Sequence, residues 1–326
     1  MKIEKERDFP LRIKQLEALL RRLDPDHEKR PEIEAELRRR IAGLKGEQSL
    51  DYYYTFLPEE TRVLHHVRLK NEHGYAFQID TLLLTAALMY SLEIKSLSGE
   101  LYFHKESGQM IRTINGAREG HSNPVLQAQR QSLQLKNWLK RHKLPEIPIE
   151  YGAIISSTST IIETSPGNES IFDKVFHADL LPIKAARLFK KYPTILNEKD
   201  IKKIVRTIKK NHEPLEQNIL QIYGIKKSEI LPGAQCPTCG ALSAKYERKK
   251  WKCDRCGTTS VDAHKHALSD YVLLIGPEIT NQEVCSFLQI PSRNIAYKLI
   301  KELNLPEQGT KKWRVYDLSH LKYLDF

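Results

Sequence analysis

Apolar residues recur at helical spacing near the start of the chain. Leu16, Leu19, Leu20 and Leu23 form one stripe, and Ile33, Leu37 and Ile41 form another after Pro31. The pattern predicts two helices, broken at Asp24-Pro25 and Arg30-Pro31, because proline cannot donate within a helix and disfavours helix in the residue before it. This segment, 1–42, reads as a helical extension that packs on the body or on a partner helix. A helix then starts near Gly46 and runs to about 57. The period shortens to that of strands over 61–70, 76–84 and 89–95, and a hairpin over 100–114 turns at Ser107-Gly108. Residues 124–142 return to helical spacing, a strand covers 149–156, and 173–192 reads as a strand or loop followed by a helix. One α/β domain over 43–192 accounts for this order, with a mixed sheet flanked by helices.

The second half changes character. Residues 193–232 are a basic helical linker with Lys202, Lys203, Arg206, Lys209 and Lys210. Two C-x-x-C pairs follow inside 233–262. Residues 268–326 carry Thr280-Asn281-Gln282-Glu283, a capping-box signature, and then two short helical patterns split at Gln289-Ile290-Pro291, with Ser292 as a second cap. The second of these, 293–303, turns Ile295, Leu299 and Ile300 inward. It leaves Arg293, Asn294, Tyr297, Lys298 and Lys301 outward, side chains suited to a recognition helix in a major groove. The segment is helix-turn-helix-like, with GTKKWRVYD at 309–317 as a wing or extra strand. A small helical packing module with a solvated basic face is the plainer alternative.

Composition narrows the choice. Of 326 residues, 52 are Lys or Arg and 41 Asp or Glu, a net charge of +11 that suits a polyanionic partner. The most apolar stretch, 79–89, is too short to span a bilayer, and MKIEKERDFP lacks the apolar core of a signal peptide, so a cytoplasmic protein without a membrane partner is expected. In a reducing compartment, paired cysteines point to metal. Cys236, Cys239, Cys253 and Cys256 are spaced as a zinc ribbon whose hairpin covers 244–251. Gly240 and Gly257 stand where each knuckle needs unusual backbone angles. Four protein ligands leave no open position, so this Zn²⁺ would be structural. His264 and His266 lie just beyond and are read as non-ligands.

Candidate chemistry lies in F-Q-I-D-T-L-L-L and L-E-I-K-S. Glu93 and Lys95, two apart on a strand, share a face, and Asp80 approaches them if the strands pair. Two carboxylates can hold Mg²⁺ or Mn²⁺, and a nearby lysine can orient a water or stabilise developing charge. A surface Glu-x-Lys pair on a half-exposed strand is the alternative.

Five motifs in order, G-E-Q-S-L-D-Y-Y, H-H-V-R-L, F-Q-I-D-T-L-L-L, L-E-I-K-S-L-S-G and N-P-V-L-Q-A-Q, resemble the nuclease-related domain (NERD) family over about 43–165. The family is placed in the PD-(D/E)xK nuclease superfamily, so the resemblance implies a restriction-endonuclease-like core. Position by position it implies that Glu47 is an acidic residue of the first helix, Asp80 a metal ligand, and Glu93 and Lys95 the E-x-K pair. It further implies that Gln127 touches the metal site or the scissile phosphate. Glu47 could otherwise be an acid favoured by a helix N-terminus, and Gln127 an ordinary helix-face amide. His65 and His66 are read as strand residues. The expectation is a Mg²⁺- or Mn²⁺-dependent nuclease on nucleic acid, DNA in the first instance. Its rivals are a DNA-binding protein that kept the fold without the chemistry, and a protein-interaction module in the ribbon and tail.

Overall fold

A computed structural model describes residues 1–310 and 313–323. The chain divides into two compact units. One comprises Met1–Asp8 with Ile41–Leu215, the other Phe9–Arg40 with Glu216–Phe326.

In chain order the elements begin with β1 (Lys2–Lys5), α1 (Leu11–Arg22), α2 (Arg30–Gln48) and α3 (Asp51–Tyr54). The strands β2 (Arg62–Lys70), β3 (Ala76–Leu84) and β4 (Met89–Lys95) follow. Next come β5 (Glu100–Phe103), β6 (Met110–Ile114), β7 (Ala117–His121), α4 (Pro124–Arg141), β8 (Ile149–Ile155), β9 (Ile161–Thr164) and β10 (Val175–His177). The helices α5 (Leu181–Lys191) and α6 (Glu198–Asn211) end the first unit's elements.

Among the described residues of the first unit, a mixed sheet runs in the order β1-β2-β3-β4-β8-β10, and a smaller one in the order β7-β6-β5-β9. The hairpins β2–β3–β4 are antiparallel, whereas β4 pairs in parallel with β8 across the α4 crossover. α4 starts where Asn123 caps the Val125 N–H and Pro124 fills the first turn, a position that needs no N–H. It buries Leu135, Trp138 and Leu139 on one face of the large sheet, beside Ile201, Ile204, Val205 and Ile208 of α6. The other face packs on Leu50, Tyr54 and Leu57 and on Leu181 and Ala185 of α5.

The segment expected as an N-terminal extension is divided. Residues 2–5 form the edge strand β1, parallel to β2, which no helical periodicity announced. Leu16, Leu19, Leu23 and Ile33 belong to the second unit's own core. The helix expected near Gly46 begins much earlier, at Arg30, because Pro31 sits in its first turn and starts it. It ends at Gln48, before the short α3.

The second unit adds α7 (Ile219–Tyr223), β11 (Ala244–Glu247), β12 (Lys250–Cys253), β13 (Thr259–Ser260), α8 (Ala263–Leu274) and β14 (Glu278–Thr280). It continues with α9 (Asn281–Leu288), α10 (Arg293–Lys301), β15 (Glu307–Gln308) and β16 (Val315–Asp317). Strands β11-β12-β13 form one small sheet and β14-β16-β15 another. Its core contains a buried ion pair: Arg22, with no exposed surface, donates to Asp270 at 2.8 Å and to the Leu231 and Gly233 carbonyls at 3.0 Å each. No helix among the described residues is long and apolar enough to cross a membrane.

Candidate functional site

Regular alternation fails at one level of the large sheet, and the candidate residues gather there. On the face under α4 and α6, β2 contributes Leu64 and then Val67 and Leu69, while β3 contributes Phe77 and Ile79 and then Leu82 and Leu84. A regular strand would keep one parity. Here both strands slip by one residue, at 65–66 and 80–81, yet pairing continues on either side, His65 with Thr81 and Val67 with Ile79. That register sets His66 opposite Asp80. His66 has φ of 49°, a left-handed conformation that costs a non-glycine residue free energy and often marks functional sites.

On the other side of β3, Thr81 pairs with Leu92, so one further step sets Asp80 opposite Glu93. Asp80 Oδ2 accepts the Ile94 N–H at 2.9 Å. Its side chain is largely enclosed but not sealed from solvent. Burial, then the charges of Glu93 and Glu47, push the Asp80 carboxyl well above the usual carboxylate range, against the pull of the Ile94 N–H and Lys95.

Glu93, 2 % exposed, has both oxygens engaged. Lys95 Nζ lies 2.6 Å from Oε1, and Gln131 Nε2 donates to Oε2 at 2.8 Å. The expected shared face of Glu93 and Lys95 is therefore present as an ion pair. Glu47 arrives from the last turn of α2. Gly46 makes that approach possible: a Cβ there would stand 2.6 Å from both Ser156 Oγ and Ser96 Cβ, beyond the ends of β8 and β4. Glu47 Oε2 receives a 2.5 Å hydrogen bond from His66 Nε2, and Arg7 Nε lies 3.6 Å away. Arg7 also holds both oxygens of Asp51, at 3.0 and 2.9 Å.

Gln127, singled out in the sequence, makes no side-chain hydrogen bond among the described residues; Gln131, one turn later on α4, is the amide that reaches Glu93. Sequence reasoning passed over Gln131 and Arg7, and read His66 as a strand residue, which it is, without its contact to Glu47. The four-residue step from Gln127 was a signal for Gln131. Nothing pointed to Arg7, forty residues before Glu47.

Two carboxylates opposite one another, one of them with its pKa raised by burial and by the neighbouring acids, are a donor set that a hard divalent ion would suit once both are ionised. Asp80 and Glu93 could supply it. The three acids do not, however, draw three ligand atoms within 4.8 Å of one another. Among the described residues, only the cysteine group does.

That group is Cys236, Cys239, Cys253 and Cys256, with Cys236–Cys256 and Cys239–Cys253 sulfurs each 3.6 Å apart. Tetrahedral thiolates at zinc distance stand about 3.8 Å apart, so the four suit a metal such as zinc. The two knuckles have the same hydrogen bonds: Gly240 N–H to the Cys236 carbonyl at 3.0 Å, and Gly257 N–H to that of Cys253 at 2.9 Å. Both glycines have the left-handed φ their position requires, +71° and +74°. His264 is apart from the group; its Nδ1 accepts from Trp251 Nε1 at 3.2 Å.

In the C-terminal segment the capping box at Thr280 and Glu283 forms on both sides. Ser292 stands at the start of α10 without a side-chain cap. Arg293, Asn294, Tyr297, Lys298 and Lys301 are all exposed on α10, opposite the buried Ala296, Leu299 and Ile300. Two lysines of the expected wing, at 311 and 312, lie outside the described residues.

No curated protein and no solved structure matches the chain. Residues 42–156, roughly a third of its length, match the model of the nuclease-related domain family.

Proposed function

We propose that the first unit is a metal-dependent nuclease that hydrolyses phosphodiester bonds in nucleic acid, with DNA as its substrate, in the cytoplasm. The observation that carries the reading is the register: Asp80 lies opposite Glu93, with Lys95 beside Glu93 and the field of Glu47 on Asp80. Asp80 and Glu93 would hold Mg²⁺ or Mn²⁺. The bound ion would supply charge neutralisation at the phosphate and a more acidic water. Lys95 faces the same side and stabilises charge that develops on the phosphate. Gln131 and Lys95 fix the Glu93 carboxylate, and Gln127, one turn before Gln131 on α4, would contact the metal site or the scissile phosphate. Glu47 orients His66.

The second unit would grip the substrate. The cysteine group would be a zinc ribbon over 233–262, structural in role, and α9 and α10 a helix-turn-helix with Arg293, Asn294, Tyr297, Lys298 and Lys301 toward the major groove. Their support is the four-sulfur geometry and the exposed face of α10.

Two observations favour a second reading, a DNA-binding protein without catalysis: both Glu93 oxygens are already engaged, and the three acids do not bring three ligand atoms within 4.8 Å of one another. Cleavage of labelled duplex DNA and RNA with Mg²⁺ or Mn²⁺ separates the two. Wild type cuts and Asp80→Ala does not if the nuclease reading holds. Equal behaviour, with salt-sensitive binding retained, selects the second.

A further inference from the structure

The edge of the large sheet carries a feature outside the 42–156 match. Between β1 and α6 lies a groove of about 290 Å³, floored by Ile201 and Val205. Lys2, Lys202, Arg206 and Lys209 rim it, with Glu4 as the acid among them. The three α6 residues are spaced i, i+4 and i+7, so they form one stripe about 10 Å long, close to three nucleotide rises of a duplex strand.

The nearby acids are already matched. Glu4 lies 2.8 Å from Lys2 and 3.4 Å from Arg62, and Glu198 lies 2.9 Å from Arg62 and 3.7 Å from Lys202. Arg206 and Lys209 are exposed and have no acidic partner among the described residues. A solvated helix face normally interleaves acids with its bases; here Arg206 and Lys209, in the C-terminal half of α6, are left open toward the groove.

That end of the helix leads to the candidate site. His212, the residue after α6, accepts the Arg68 N–H at 3.2 Å. Arg68 pairs with Gln78, two residues from Asp80, and stands two residues from His66. A strand lying along the groove would thus reach the level at which both strands slip.

We propose that this groove binds the phosphate backbone of a polynucleotide and guides it to Asp80, an inference that rests on the nuclease reading. Phosphates at this spacing meet Lys202, Arg206 and Lys209 in turn, and contact is to the backbone, so it is independent of sequence.

The test uses the full chain and a fluorescent 20-base-pair duplex, with anisotropy followed across NaCl concentrations. The double variant Arg206→Glu/Lys209→Glu is compared with Lys136→Glu/Lys140→Glu, which makes the same charge change on the exposed face of α4. Each lost phosphate contact lowers the slope of log affinity against log salt by about 0.9. The groove variant is expected to lose about two in slope and at least tenfold in affinity at 100 mM NaCl. The α4 variant should lose much less, and Arg206→Lys/Lys209→Arg should bind as wild type.

Equal losses in the two charge-reversed variants, or an unchanged slope in the groove variant, overturn the groove. So does wild type that binds phosphatidylserine vesicles and no duplex. The outcomes separate from those of the nuclease reading. An unchanged slope alongside Asp80-dependent cleavage removes the groove alone, whereas a lost slope without cleavage removes the chemistry alone.

Discussion

Gly43 and Gly46 lie on the same helix, and alanine at each should move stability in opposite directions. Helix propensity alone favours alanine over glycine in a helix interior by about 0.5–1 kcal/mol. At Gly43 a Cβ meets nothing within 4 Å, so that gain is expressed in full. At Gly46 a Cβ meets Ser96 Cβ and Ser156 Oγ, each at 2.6 Å, well inside van der Waals contact. Overpacking of this kind costs about 1–3 kcal/mol, which exceeds the propensity gain. Gly43→Ala should therefore stabilise by up to about 1 kcal/mol and Gly46→Ala destabilise by about 1–2 kcal/mol. Urea denaturation followed by circular dichroism measures both, with unchanged slopes showing that only stability has moved. Should Gly46→Ala stabilise as Gly43→Ala does, the last turn of α2 does not lie against the ends of β4 and β8. Glu47 would then not be delivered to His66.

Other outcomes follow from named contacts. Asp270→Ala leaves Arg22 buried with only backbone carbonyls, and loss of one partner of such a pair costs about 3–5 kcal/mol, read by the same denaturation. Burial, reinforced by Arg7, holds the His65 imidazole down to about 3, and burial holds His264 at about 4. Both stay neutral in the folded chain while the unfolded chain takes up protons below about 6.5, so stability is lost as pH falls through that value. His65 alone accounts for roughly 3 kcal/mol by pH 4, and His65→Asn should show a pH dependence shallower by that amount. If the cysteine group holds zinc, a chelator or Cys253→Ser should release one zinc per chain and shift the emission of Trp251, which packs on Tyr246 and His264. Unchanged emission on metal release would argue against a structural role.

The legible parts of the sequence were those in which local spacing and tertiary placement agree. The strand ranges 76–84 and 89–95 match β3 and β4 because their apolar runs are bounded by turn residues and buried on two faces. The glycines after each C-x-x-C pair were readable because left-handed backbone there has few other occupants. The edge strand β1 was illegible: four residues of K-I-E-K alternate weakly, and their strand state comes from pairing with β2 sixty residues away. The slip at His66 and Asp80 was equally hidden, since matched irregularities on two strands leave the overall register intact. Gln131 was missed because a motif-bearing glutamine stands one turn before it, and only packing decides which of two amides on one helix face meets Glu93.

The central claim is that Asp80 and Glu93 share a divalent ion. Titration of the full chain with Mn²⁺, followed by electron paramagnetic resonance, tests it most directly, because free Mn²⁺ signal disappears on binding. Wild type should take up Mn²⁺ with affinity that rises with pH, as the ion displaces the proton that burial and Glu93 favour on Asp80, and Asp80→Asn should take up none at this site. Identical uptake by wild type and Asp80→Asn, with no dependence on pH, would contradict it.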